Sequence, residues 1–417
     1  MREMKNSNSD WIGSIPENWE LLTVGSLFKV RNEKVNDTDY PPLSVSKGGI
    51  VPQMENVAKT NATDNRKMVL KDDFVINSRS DRKQSCGVSP LDGSVSLINT
   101  VLYLAPNVPI VPAYLNYLLK NYGFAEEFYR WGHGIVADLW TTRWQEMKNI
   151  TLPVPPMDEQ MAIVSNISAQ MPKVDSLIAN VQAQIEKLKT YKQSLITEVV
   201  TKGLDPNAPM KDSGVEWIGK IPKHWQTSKL RTRTTMLTPM RDKPADLSGP
   251  IPWIRIEDYC GKYISSSKEN LGVSTDTVKA MNLKIYPVGT ILCTSSCDLG
   301  KCAIVEKELV SNQRFIGIIP TGELVSDFLY YLMLSNAERL NTLSTGSIQA
   351  NLSRVSFEQL LVQFPPMAEQ IEIAKYLDAK CNAADNLISL KESKIEKLQQ
   401  YKRSLIYEYV TGKKEVV

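Results

Sequence analysis

Three cysteines, Cys293, Cys297 and Cys302, stand close enough in sequence to suggest a metal site. A closed zinc site needs four thiolate or imidazole ligands, usually from short-spaced pairs. No fourth Cys or His lies nearby. The chain holds only two histidines, His133 and His224, and neither has a ligand partner at a useful spacing. The three cysteines therefore read as buried thiols, and no metal is expected. Gly132-His133-Gly134 is a lone pair of glycines without the strand and helix that make a phosphate loop, so it reads as a turn. Glu392-Ser393-Lys394 has the spacing of a nuclease fragment, but a solvated charge pair on a helix explains it as well. No G-x-x-x-x-G-K-[ST] loop and no strand-anchored G-x-G-x-x-G is present. Nothing in the sequence supports catalysis, and the chain reads as a non-enzyme.

The elements around these residues follow from the gross numbers and from repetition. A chain of 417 residues is too long for one ordinary core and suits two or three domains. With 42% hydrophobic and 23% charged residues it has a globular composition. The net charge of +3 is a weak electrostatic drive toward a polyanion, so any such surface must come from the arrangement of charges. No apolar run approaches the ~18 residues that span a bilayer. No secretory signal opens the chain, and a cytoplasmic location with six reduced thiols is expected.

The decapeptide DWIGSIPENW at residues 10–19 returns as EWIGKIPKHW at residues 216–225. A longer match follows. VPPMDEQMAIV (154–164) faces FPPMAEQIEIA (364–374), and IEKLKTYKQSLITEVVT (185–201) faces IEKLQQYKRSLIYEYVT (395–411). Each repeat thus has a shared head, a divergent middle and a shared tail. In the middles, DFVINSRSDRKQSCGV (73–88) lies on GTILCTSSCDLGKCAI (289–304), with Cys86 on Cys302, and PLSVSKGGI (42–50) loosely on PWIRIEDYCGKYI (252–264). Short β-branched runs between Gly, Pro, Asn and Asp signals mark the middles as strand-rich. Each middle ends in one helical stretch, 113–130 and 326–343.

In the tails, Ile178, Val181, Ile185, Leu188, Lys192, Leu195 and Val199 alternate steps of three and four, and so do Ile388, Lys391, Ile395, Leu398, Lys402, Leu405 and Tyr409. Pro172 is expected to part a short helix (158–170) from a long one (173–201). The long helix would measure roughly 40 Å at ~1.5 Å per residue. Either each helix packs on its own domain, or the two pack on each other. In the second case equivalent repeats require an antiparallel, pseudo-twofold pair with the chain ends close together. The expected class is α+β: two globular strand-rich domains joined by two long antiparallel coiled-coil helices. The expected boundaries are 1–152 and 216–362 for the globules, 153–202 and 363–417 for the helical spacers, and 203–215 for a linker.

WIGxIPxxW, PPMxEQ, the linker KGLDPNAPMKDSGVEWIG and the duplicated IEKLxxYKxSLIxExVT helix resemble the specificity subunit of type I restriction–modification enzymes. The resemblance covers essentially the whole chain. It implies two target-recognition domains, each reading one half of a bipartite double-stranded DNA site, with the helices setting the gap. It also implies two methyltransferase subunits that bind S-adenosylmethionine, motor-nuclease subunits, and no catalysis or cofactor in this chain.

Base reading calls for Arg, Lys, Asn, Gln or Ser on loops that reach a groove. In the first repeat the richest loop is 77–85, with Arg79, Arg82, Lys83 and Gln84, and Lys47 comes second. In the second repeat the matching loop holds Ser295, Ser296 and Lys301, and Arg255 and Gln349 are further candidates. Trp11, Trp19, Trp217 and Trp225 are either core or anchors for the methyltransferase. Glu186, Lys187, Glu396 and Lys397 are either solvated or meet that partner. A non-catalytic protein-interaction scaffold with a coiled-coil spacer is the rival function. A stand-alone methyltransferase or nuclease is the third, and the missing cofactor motif counts against it.

Overall fold

The computed structural model describes residues 2–53, 65–79, 83–135, 140–240, 242–296, 299–343 and 352–416. The chain forms two compact units. The first comprises Met1–Gln182 with Glu392–Val417, and the second Ala183–Lys391. Each unit holds one globule, the first part of one spacer helix and the last part of the other.

Both globules are built to one plan. In unit one, Cys86–Val88, Phe74–Asn77, Asn99–Leu104 and Phe28–Val30 form an antiparallel four-stranded sheet in that order. In unit two, Cys302–Val305, Ile291–Thr294, Phe315–Pro320 and Thr234–Leu237 repeat it, with Tyr263–Ile264 added parallel at the edge. Alternation assigns the faces. Phe74 and Ile76 enter the main core of unit one, and Val75 a smaller one behind the sheet. Ile291 and Cys293 enter the main core of unit two, and Leu292 the smaller one.

That register corrects the ungapped match of 73–88 on 289–304. Cys86 pairs with Ile76, and Cys302 with Cys293, so Ile76 and Cys293 are equivalent. The first loop is one residue longer, and the match holds at the cysteines but slips by one along the strand. A one-residue slip would turn every side chain to the wrong face. The second loose match does not hold either. Leu43–Ser46 closes a two-residue hairpin with Gly49–Pro52, whereas Ile251–Ile254 pairs with Gly272–Val273 and Val310–Ser311.

The helical stretches that end each middle are broken in two. Pro112–Lys120 and Tyr122–Arg130 meet at Asn121, whose Oδ1 accepts from the Phe124 N–H at 3.0 Å. Ser326–Ser335 and Ala337–Leu343 meet at Asn336. Asparagine competes with the helical ladder for nearby backbone groups and so favours a break and a new cap.

The spacer helices run unbroken over Met157–Lys202 and Met367–Val410, 46 and 44 residues. Pro172 lies inside the first helix and does not part it, so the helix is about 69 Å long rather than 40 Å. An internal proline costs ~3 kcal/mol. Pro172 is exposed, while Ile167, Met171, Val174 and Val181 stay buried on both sides of it and hold the helix together.

Within each unit the two helices are antiparallel. In unit one the Gln170 amide donates to the Tyr409 hydroxyl at 3.0 Å, and Lys402 reaches Asp175 at 2.5 Å. In unit two Lys391 reaches Gln184 at 2.5 Å, and Lys192 reaches Asp385 at 2.6 Å. Lys192, Lys391 and Lys402 are the polar members of the expected seam, and they pin its register. The stretch 203–215 is not wholly a linker, because Met210–Asp212 pairs with Lys220–Pro222 as Met4–Asn6 pairs with Ser14–Pro16.

Candidate nucleic-acid interface

The repeated motifs lock each unit together. The Trp19 indole N–H donates to Glu159 at 3.0 Å, and the Trp225 indole to Glu369 at 2.9 Å. These carboxylates belong to PPMDEQ and PPMAEQ. The next residue continues the pattern. Gln160 and Gln370 accept from the Val111 and Val325 N–H groups at 2.7 and 2.9 Å, which are the caps of the globule helices. The helix that ends in the same unit closes the node. Gly412 and Gly203 sit at φ +71° and +77°, where a Cβ would stand 3.1 Å from the Trp19 ring and 2.3 Å from Pro16, and 3.2 Å from the Trp225 ring. Only glycine combines that φ with so close an approach.

Of the two alternatives for the tryptophans, burial of Trp19 and Trp225 (1 and 0% exposed) favours the core, and Trp11 (8% exposed) packs in the core with an edge on a surface cleft. Their rings fill the cores of the folded units. Trp217 differs, at 45% exposed under the Arg339 guanidinium, 4.3 Å from the ring. Glu186, Lys187, Glu396 and Lys397 are exposed along the spacers, and Glu186 pairs with Lys189 at 2.9 Å.

The divergent loops sit at the end of each main sheet, beyond Asn77 and Thr294. In unit one, Arg79 is exposed and its backbone bridges Thr141. The Lys83 ammonium lies 4.0 Å over the Tyr129 ring and 3.1 Å from Glu126, so it braces the loop against the helix Tyr122–Arg130. Gln84 is half-buried at φ +64° and turns the chain into the strand of Cys86. Lys47 is exposed at the hairpin tip, with its carbonyl held by Lys120 at 3.1 Å. Burial lowers the pKa of that Lys120. Arg82 and Gln349 lie outside the described residues.

In unit two, Ser295 and Ser296 are half-buried and Lys301 is exposed. Arg255 does not reach out as expected. Its guanidinium lies 3.0 Å from Glu269 and 3.2 Å from Glu257, and the Glu269 hydrogen bond raises its pKa. Those carboxylates occupy the edges that would fork onto guanine.

A second loop joins the first in each unit, and sequence reasoning missed it. The Thr142 N–H donates to the Ser78 carbonyl at 3.1 Å, and the Leu352 N–H to the Ser295 carbonyl at 2.8 Å. Thr142 and Leu352 are separated by the same 210 residues as the tail motifs, which is the signal that could have found the pairing. In unit one this loop carries exposed His133 and Arg143, and His133 and Arg79 both bridge Thr141. In unit two exposed Gln313 and Arg314 join Ser295, whose N–H bonds the Arg314 carbonyl.

The loop of unit one is anchored at its stem. Trp140 stacks on Tyr129, with 5.5 Å between ring centroids, and donates to the Tyr129 carbonyl at 2.9 Å. The Thr142 hydroxyl donates to the Phe128 carbonyl at 2.7 Å. A Cβ on Gly132 would stand 2.2 Å from the Trp140 nitrogen. Gly132→Ala is therefore expected to destabilise by about 1–3 kcal/mol through overpacking. An unchanged denaturant midpoint would mean that Trp140 swings aside freely.

Among the described residues, no group of three His, Cys, Asp or Glu could hold a metal ion. Cys293 and Cys302 are buried and in contact across adjacent strands, and Cys297 lies outside the described residues. Burial pushes the Cys86 thiol up to about 12. Iodoacetamide at pH 8 should modify exposed Cys260 and spare native Cys86, a difference that peptide mass spectrometry reads directly.

Residues 234–400 match the model of the type I restriction modification DNA specificity domain. The MjaIX type I restriction enzyme specificity subunit of Methanocaldococcus jannaschii is 34% identical over 189 residues, 44% of this chain and 43% of that one. The putative MjaX specificity subunit of the same organism is 24% identical over 98% of this chain and 96% of its own. A chain from a solved type I restriction–modification system, studied for complex assembly and conformational transition, shares the fold. Its TM-score is 0.71 at 14% identity, over 95% of this chain and 98% of that one. Residues 234–400 thus match a type I DNA specificity domain, and with its shared head and tail around divergent middles the chain is similar along its whole length to type I restriction enzyme specificity subunits.

Proposed function

We propose that each unit reads one half of a bipartite, asymmetric double-stranded DNA site and that the paired spacers set the gap between the halves. One observation carries this reading. The two units share their framework down to the Trp–Glu lock, yet differ in the loops beyond Asn77 and Thr294. A surface that recognised one repeated ligand would keep its loops alike. Exposed Arg79, Lys47, Arg143, Lys301 and Arg314 supply donors suited to base edges and phosphates.

The chain would direct others rather than act itself. Two methyltransferase subunits would carry S-adenosylmethionine, and motor-nuclease subunits would join them. Each unit offers an equivalent cleft for such a partner. One is lined by Trp11, Tyr122, Arg403 and Tyr407, the other by Trp217, Arg339, Gln193 and Thr197. Glu186, Lys187, Glu396 and Lys397 are further exposed contacts. Among the described residues no helix is long and apolar enough to cross a membrane.

Exchanging residues 20–150 for those of a relative tests the reading, with methylated sites mapped genome-wide. One half-site should change and the other persist. A change in both halves would end the one-unit-per-half assignment. A complex without sequence preference would favour a protein-binding scaffold.

A further inference from the structure

Unit one carries a second ribbon beside its long loop. Thr141 bridges Arg79 on one side and His133 on the other, both antiparallel. Directly opposed residues in antiparallel strands project from the same face. Arg79 and His133 therefore flank Thr141 on one face, and both are exposed. Two residues on, Ile135 is 97% exposed, the most exposed large apolar side chain among the described residues. The stem of this loop is not loose, because Trp140 and Thr142 bind the carbonyls of Tyr129 and Phe128.

The geometry points to Ile135 and His133 as specificity-determining residues for the half-site of unit one, an assignment that rests on the DNA-reading function proposed above. Ile135 meets an apolar base feature, the thymine methyl in the major groove. His133 hydrogen-bonds a neighbouring base edge beside Arg79. An isoleucine cannot hold a phosphate, so its contribution is tied to base identity rather than to backbone charge. At the same 210-residue offset the sequence of the second repeat reads TLSTGSIQA (342–350) where the first has GHGIVADLW (132–140). That divergence fits elements that read different bases from a common framework.

The test maps methylated sites genome-wide in cells that carry the full chain with its partner subunits, at equal chain levels. Ile135→Ala should relax discrimination at one thymine position of one half-site by roughly tenfold, with the other half-site unchanged. His133→Gln should change the preference at an adjacent position of the same half. The assignment is overturned if both variants leave a bipartite wild-type profile intact. It is overturned equally if they lower methylation uniformly at every site, since that marks a backbone contact. A wild-type chain that directs no bipartite pattern would instead bring down the DNA-reading function itself.

Discussion

Trp225→Ala is expected to cost unit two about 3–5 kcal/mol, the range for removing a large buried aromatic. Trp225 is fully buried where the head hairpin, the start of one spacer and the end of the other converge. Its ring packs under Gly203 and its N–H donates to Glu369, so truncation leaves a cavity and a carboxylate acceptor without that donor together. Trp225→Phe keeps most of the packing and loses only the donor, which sets its cost near 1 kcal/mol. His224 also binds Glu369, at 2.6 Å, and shields that carboxylate in the phenylalanine variant. Hydrogen exchange resolved to peptides measures both. Protection across 216–391 should collapse in the alanine variant and persist in the other. An alanine variant within 1 kcal/mol of wild type would show that the node is not what joins head to spacers. Trp19→Ala should behave likewise in unit one, where Glu159 and Gly412 take the same places.

Removing one heptad from both spacer helices should shorten the gap of the recognised site by about three base pairs. Seven residues span ~10.5 Å of helix, and B-DNA rises ~3.4 Å per base pair. The ladder of side-chain pairs says how the deletion must be made. Lys402 meets Asp175, and Lys192 meets Asp385, on helices that are antiparallel within each unit. A matched pair of deletions keeps those partners opposed. A deletion in one helix alone puts Lys192 and Lys391 against the wrong turns and exposes the seam, so assembly and methylation should fail together. Methylation mapping of the double-deletion chain reads the gap. A gap of unchanged length would sink the idea that the helices measure it.

Repetition explains how much was legible beforehand. Motifs at matched offsets disclosed two equivalent units, and the steps of three and four disclosed which spacer residues face inward. Both are one-dimensional signals that survive without knowledge of neighbours. Around Pro172 the sequence shows the local cost of the proline but not the buried face that holds the helix together on both sides of it. The strand register is not legible in the sequence because a one-residue difference in loop length leaves no mark in an ungapped match. Arg255 looked available because Glu257 and Glu269 could not be seen to close on it.

By itself the sequence determined the duplication, the two helices and the resemblance to type I specificity subunits. All of these are written as residue types at fixed spacings. Only the tertiary structure decided that Trp11, Trp19 and Trp225 are core while Trp217 is surface, since identical motifs differ in what packs over them. It alone also brought His133 and Arg79 together on either side of Thr141, because residues more than fifty apart meet through backbone bridges that no local pattern encodes.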